Sequence, residues 1–376
     1  MKPIEGLVRD NVKNLKPCVH GAEVLSAAEE SGLLLQDILD FSSSVNPLGP
    51  SKKALDAAKK AFSQIAAYPD SNSNELRQVI ANHFGIAKGN VLVGNGSTEL
   101  MYLFAEVFMK KGDKAVMPAP TFGEYESALN KTGETPKFVK LGKTFTIEPE
   151  LFKREMAGAK LVFLCNPNNP TSMLIPQETL TDIIESALKQ DTLVFLDEDF
   201  LEFVLDEKAL TMIGRIKKYP NLFILRSFTK IFGLTGLRVG YGIASHEIID
   251  ALSCAKIPWN VNCLAQAAAI AALKDEKHLQ VTRELIKKEK AWLQGELEKF
   301  GSFRFSSPDA NFFFINICKS GLAATELKNK MLKQGLLIRD CTSFKGLDEF
   351  YIRVAVKTHV ENERLIDAFK RIVKAV

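Results

Sequence analysis

Between residues 114 and 244 the chain repeatedly sets a short apolar run after a longer stretch. The runs are KAVM (114–117), LVFL (161–164), LVFLD (193–197), LFILR (222–226) and VGYGIA (239–244). Each is apolar on both faces, so each must be covered from both sides, as strands of a helix-flanked parallel sheet are. Helical patterns occupy 52–66, 73–84, 97–110 and 177–189. The alternation predicts an α/β fold whose helices cover a mostly parallel sheet. After about residue 262 the texture changes. One long helix is expected over 264–299, then FRF (303–305), NFFFINI (311–317), a helix near 322–334, LLIR (336–339), YIRVAV (351–356) and a last helix over 359–374. The expected organisation is an N-terminal arm (1–50) with one helix around 21–31 that joins a small domain, a large domain (51–262), and that small α+β domain (263–376). No flexible linker separates the last two, so a cleft should lie between them, where ligands bind in such folds.

Composition narrows the partners. At 46% hydrophobic and 25% charged over 376 residues, the chain is ordinary for a globular protein. Its net charge is +4, from 49 basic and 45 acidic residues, and no basic block carries interleaved aromatics. Nucleic acid is therefore not an expected partner. No apolar run reaches the ~20 residues of a membrane span. The stretch MKPIEGLVRDNVKNLKP lacks a signal peptide's apolar core, so a cytoplasmic location is expected. Cys18, Cys165, Cys254, Cys263, Cys318 and Cys341 form no C-x-x-C pair and read as small buried hydrophobes. The five histidines show no metal-ligand spacing, and no metal is expected.

Four features lie at the ends of apolar runs. GNGSTEL (94–100) follows VLV and opens a helix, so Ser97 and Thr98 would offer donors at a positive helix end. CNPNNPT (165–171) follows a buried strand with a doubled Asn-Pro turn. Asp197 ends LVFLD, where a carboxylate is costly without a partner such as a protonated ring nitrogen. In SFTKIFGLTGLRVGY (227–241) Lys230 precedes Arg238 by eight positions. A desolvated lysine has a lowered pKa and attacks carbonyls, and a nearby arginine would hold a phosphate. An imine-forming lysine, an acid for a pyridinium, phosphate donors and an asparagine are what pyridoxal 5'-phosphate requires.

The order GNGSTE, PTFGEY, NPNNPT, DEDF, SFTKIFGLTGLRVGY, LLIRD and YIRVAVK resembles the fold-type I aminotransferase family over essentially the whole chain. The resemblance implies an aspartate aminotransferase-like fold with a seven-stranded sheet and a homodimer with its sites at the interface. It also implies roles: Lys230 as the imine-forming lysine, Asp197 at the ring nitrogen, and Asn169 at the ring 3-oxygen. Ser97, Thr98, Ser227, Thr229 and Arg238 would hold the cofactor phosphate, and Phe122 would stack on the ring. Tyr68 in AAYPD would reach the partner subunit's site. One departure stands out. Where aminotransferases of this branch usually read D-E-A-Y, this chain has DEDF, and Phe200 lacks the tyrosine hydroxyl.

The resemblance is greatest to the branch that holds histidinol-phosphate aminotransferase and the threonine-phosphate decarboxylase of cobalamin biosynthesis. VHGAEV (19–24), DFSSSVNPLGP (40–50) and LLIRDCTSFKGL (336–347) resemble decarboxylase segments, although Ala22 and Glu23 replace a Gly-Asn pair. They imply a phosphorylated amino acid substrate touched by His20, Gly21, Asn46, Arg339 and Arg353. The expected reaction is decarboxylation of L-threonine O-3-phosphate to (R)-1-amino-2-propanol O-2-phosphate, with serine phosphate as a further substrate. The alternatives are a histidinol-phosphate aminotransferase and, second, a non-catalytic binding protein with the same fold. The sequence assigns neither arginine to carboxylate or to phosphate.

Overall fold

A computed structural model describes residues 3–13 and 15–373. A two-residue strand, β1 (Leu39–Asp40), opens the order of strands. The main sheet is built from β2 (Val91–Gly94), β3 (Ala115–Ala119), β4 (Lys137–Lys140), β5 (Leu161–Cys165), β6 (Leu193–Asp197), β7 (Leu222–Ser227) and β8 (Gly240–Ile243). Its seven strands lie in the order β2-β8-β7-β6-β5-β3-β4. Pairing is parallel from β4 through β3, β5 and β6 to β7, and β8 is antiparallel to both its neighbours. The resemblance led to the same mostly parallel, helix-flanked, seven-stranded sheet.

The central strands β5, β6 and β7 are buried almost throughout, which is why they read as continuous apolar runs. Two strands were not among the five runs. VLVG (β2) is short, and KFVK (β4) at the sheet edge has an exposed lysine at each end of only two inward residues. Lysines on an edge strand discourage pairing with another sheet. Apolar side chains from both faces of the sheet form two separate cores, one with Val162, Leu164, Val194 and Ile224, the other with Leu161, Phe163, Phe195 and Phe223.

The C-terminal part holds β9 (Phe312–Asn316), β10 (Leu336–Leu337), β11 (Arg339–Asp340) and β12 (Tyr351–Ala355). β11, β12 and β9 form a three-stranded antiparallel sheet. The LLIR run is thus two strands: β10 pairs in parallel with β1 of the arm, and β11 joins the small sheet. FRF contributes only a bridge between Arg304 and Asn316. The single helix expected over 264–299 is two, Cys263–Leu273 and Glu276–Glu298. The break falls at Asp275 (φ −98°, ψ 64°), whose carboxylate lies 3.2 Å from Lys53 Nζ. Aspartate favours helix starts over helix interiors because it competes for backbone donors. The last helix is His359–Val373, and residue 374 lies outside the described residues. Among the described residues no helix is long and apolar enough to cross a membrane. Cys254 and Cys318 are exposed, against the expectation that all six thiols are buried.

Candidate active site

Topology gathers the chemistry. β3, β5, β6 and β7 all point their C-terminal ends to one edge of the sheet. Phe122, Asn169, Asp197 and Lys230 follow or end those strands. Antiparallel β8 begins at the same edge, which brings Arg238 there too. This edge is where ligands sit in open α/β sheets. A cavity of about 810 Å³ opens over it, lined by Phe122, Asn169, Phe200 and Lys230 from the large sheet. The arm adds His20 and Gly21, and the small sheet adds Arg339 and Arg353.

Lys230 lies with its Nζ 5.2 Å from the centre of the Phe200 ring. Burial lowers its pKa, the Asp199 carboxylate opposes this, and Arg353 lowers it further. Asp197 is buried and accepts a hydrogen bond from Tyr125 Oη at 2.6 Å and from the Asp199 backbone N–H at 2.9 Å. Burial raises its pKa and the neighbouring Asp199 carboxylate adds to the rise, while the Tyr125 hydroxyl works against it. Asp199 and Tyr125 were not singled out in the sequence. Asp199 stood inside DEDF, where only Asp197 ends the apolar run, and Tyr125 reads as a core aromatic of PTFGEY.

The anion cradle is built from backbone contacts that only glycine permits. A Cβ on Gly240 would stand 2.6 Å from the Ser97 backbone nitrogen, and one on Gly96 (φ +81°) would stand 2.5 Å from Arg238 Nη2. The start of the helix Ser97–Phe108 therefore packs directly on β8, under the Arg238 guanidinium. Thr98 is the second residue of that helix. Gly240 pairs in register with Ser227, whose hydroxyl donates to Thr229 Oγ1 at 2.7 Å and accepts from Thr229 N–H at 2.9 Å. A positive helix end, the hydroxyl residues Ser97, Thr98, Ser227 and Thr229, and a guanidinium lie together here, as anion sites require.

The two arginines of the small sheet sit directly opposite each other, Arg339 against Arg353 across β11 and β12. Like charges in that position repel. Arg353 is buried and donates to Asn169 Oδ1 and, at 2.6 Å, to the Ser42 carbonyl, and its Nε has no partner among the described residues. Burial and Arg339 push its pKa down to about 10. Arg339 donates to the carbonyls of His20 and Val19 and to Ser343 Oγ, each at 2.8 Å. A bound anion would relieve both the repulsion and the desolvation.

The arm is seated tightly. A Cβ on Gly21 would stand 2.6 Å from the Ser42 carbonyl oxygen, so glycine is needed for this approach. His20 Nε2 lies 2.8 Å from Glu124 Oε1, and its ring is 6.2 Å from Phe122. Glu23 lines an adjoining cavity of about 420 Å³, not the main one.

Ser97, Thr98, Asp197, Ser227, Thr229 and Arg238 sit at the same sheet edge without lining the cavity, and Asn46 and Tyr68 are not in its wall either. The Asn46 amide donates to Ile231 O at 2.8 Å and Thr282 Oγ1 at 2.9 Å, and its Oδ1 accepts from Leu48 N–H at 2.9 Å. Those bonds brace the Lys230 loop, and Asn46 does not line the cavity. Tyr68 is 81% exposed and packs on the Trp259 ring at 4.8 Å, away from this chain's own cavity.

The sequence profile of the family "Aminotransferase class I and II" matches residues 36–369. The chain belongs to that family. It is 34% identical over 370 residues to histidinol-phosphate aminotransferase of Methanosphaera stadtmanae, covering 96% of this chain and 98% of the relative. It is 35% identical over 360 residues to a protein of Caldanaerobacter subterraneus subsp. tengcongensis named as a "Putative threonine-phosphate decarboxylase", covering 95% of each. Its fold overlays the crystal structure of histidinol-phosphate aminotransferase from Clostridium acetobutylicum with a TM-score of 0.85. That comparison has 32% identity and covers 90% of this chain and 100% of the other. The protein is thus a pyridoxal phosphate enzyme of this class. The residues fit the cofactor: a buried lysine, a buried carboxylate with its own donors, and a glycine-lined cradle at a helix start.

Proposed function

We propose that this enzyme decarboxylates L-threonine O-3-phosphate to (R)-1-amino-2-propanol O-2-phosphate, the amine used for the corrinoid side arm, with serine phosphate as a second substrate. The observation that carries the reading is the arm. His20 and Gly21 enter the cavity wall, and Arg339 holds their strap by its carbonyls. Phe200 supports it, because the ring beneath Lys230 carries no hydroxyl.

When bound, pyridoxal phosphate supplies the electron sink for bonds broken at Cα. Lys230, Asp197, Asn169, Ser97, Thr98, Ser227, Thr229 and Arg238 would hold it, with Phe122 against its ring. Lys230 has its pKa lowered by burial, which favours the neutral amine needed for carbonyl attack. Asp197 would pair with the ring nitrogen, and the Tyr125 hydroxyl aims that carboxylate and favours its ionised form against the burial that raises its pKa. Arg339, Arg353 and His20 would grip the substrate's carboxylate and phosphate and so set which Cα bond is presented for cleavage. That orientation selects decarboxylation over transamination. After CO2 leaves, Lys230 Nζ would take up a proton from solvent and deliver it to Cα. We also propose a homodimer. Tyr68 and Trp259 stand exposed, as do the apolar Phe62, Ile65 and Ile257, and a second copy would cover such side chains.

The second reading, histidinol-phosphate aminotransferase, is favoured by the names of the Methanosphaera and Clostridium relatives. Threonine O-3-phosphate and histidinol phosphate with 2-oxoglutarate, offered in separate incubations and followed by mass spectrometry, test the choice. Aminopropanol phosphate from the first supports decarboxylation. Glutamate from the second, with no product from the first, would overturn it.

A further inference from the structure

We propose that Cys18, His20 and Glu124 form a site for a borderline-soft divalent cation, Zn2+, in the wall of the substrate cavity. One thiol sulfur, one imidazole nitrogen and one carboxylate oxygen lie within 4.8 Å of one another. Zn2+ takes these three donor types, at bonds of about 2.0–2.3 Å, so a tetrahedral site has edges of roughly 3.3–3.7 Å. Small side-chain shifts reach that spacing. Sulfur and imidazole together disfavour Mg2+ and Ca2+.

The surroundings are those of a supported ligand set. The Glu124 side chain is buried, and its Oε2 accepts a hydrogen bond from Tyr102 Oη at 2.7 Å, which leaves Oε1 facing His20 at 2.8 Å. Such outer partners orient metal-binding carboxylates. A Cβ on Gly123 would stand 2.8 Å from Cys18 Sγ, so the glycine makes room for the sulfur. The arm backbone on either side of the imidazole is pinned by Arg339. Cys18 and His20 both line the cavity, so a fourth coordination position would open into it. Three protein ligands with one open position is the arrangement of reactive zinc sites. Sequence spacing alone does not signal it, because Glu124 is over a hundred residues from the other two ligands.

Two measurements without substrate test the site, so its failure is distinguishable from failure of the proposed reaction. The first titrates the holoenzyme with Co2+, in a background where the exposed Cys254 and Cys318 are serine, and follows the visible d–d bands. One equivalent should bind and Zn2+ should displace it. Cys18→Ser and His20→Gln should each weaken binding on the order of 100-fold or more, and Tyr102→Phe about tenfold. Circular dichroism of the metal-free variants checks their fold. The second needs no variant: Zn2+ should slow alkylation of Cys18 in the wild-type protein and leave Cys254 unchanged. No saturable binding, parent-like binding by Cys18→Ser, or unprotected Cys18 would overturn the proposal.

Discussion

Tyr125→Phe isolates what sets the charge of Asp197. The phenol donates to Asp197 Oδ2 at 2.6 Å inside a fully buried pocket, and only the Asp199 backbone N–H at 2.9 Å remains once it is gone. Removing only a hydroxyl keeps the ring and its 5.0 Å stack on Phe163. A hydrogen bond to a charged group is worth about 1.5–3 kcal/mol. It favours the ionised carboxylate, so its loss raises the Asp197 pKa by about 1–2 units at 1.36 kcal/mol per unit. An ionised Asp197 is what holds the ring-nitrogen proton. The acid limb of kcat/KM against pH should therefore move up by about 1–2 units, with activity largely recovered above it. Substrate ionisation is common to both proteins and cancels in the comparison. Asp199→Asn removes the like charge that raises Asp197 and should move the limb the other way. An acid limb that stays in place in Tyr125→Phe would refute the reasoning.

Three further outcomes follow from the geometry. Gly240→Ala drives a Cβ into the Ser97 backbone at 2.6 Å, so cofactor affinity should fall by about 1–3 kcal/mol, read by cofactor retention on gel filtration. Arg353→Lys loses the forked contact to Asn169 and Ser42, and KM should rise about tenfold or more in steady-state kinetics. Glu202 is pushed up to about 8, chiefly by burial. An unfolded glutamate ionises near ~4.3, so the folded state holds the extra proton between those values. The stability this carboxyl contributes is full below about pH 4 and is lost as pH rises towards 8. Glu202→Gln should flatten that slope in urea melts of the apo-protein, and an unchanged slope would contradict it.

The sheet was legible because its central strands are buried on both faces. LVFLD matched β6 residue for residue, and the other four runs each overlapped a strand. What escaped did so for local reasons. KFVK lies at an edge with a lysine at each end, so its apolar run is only two residues long. The helix break at Asp275 is a local change of backbone conformation that periodicity does not register. The site divides in the same way. Lys230, Asp197, Asn169, Ser97 and Arg238 end or follow apolar runs and announce themselves. Tyr125 and Glu124 act from within a helix, on partners 72 and 104 residues away, and only the folded chain reveals them. Asn46 lies in a motif that surrounds the site, and its bracing of the Lys230 loop is seen only in the folded chain.

Turnover number without a keto acid tests the central claim most directly. The holoenzyme is mixed with excess carboxyl-labelled threonine O-3-phosphate, 2-oxoglutarate is omitted, and labelled CO2 is counted against moles of active site. Many equivalents per site, lost in Lys230→Ala, are predicted. A transaminating enzyme would release no CO2 and would stop after one equivalent of amino transfer. That result would contradict the account.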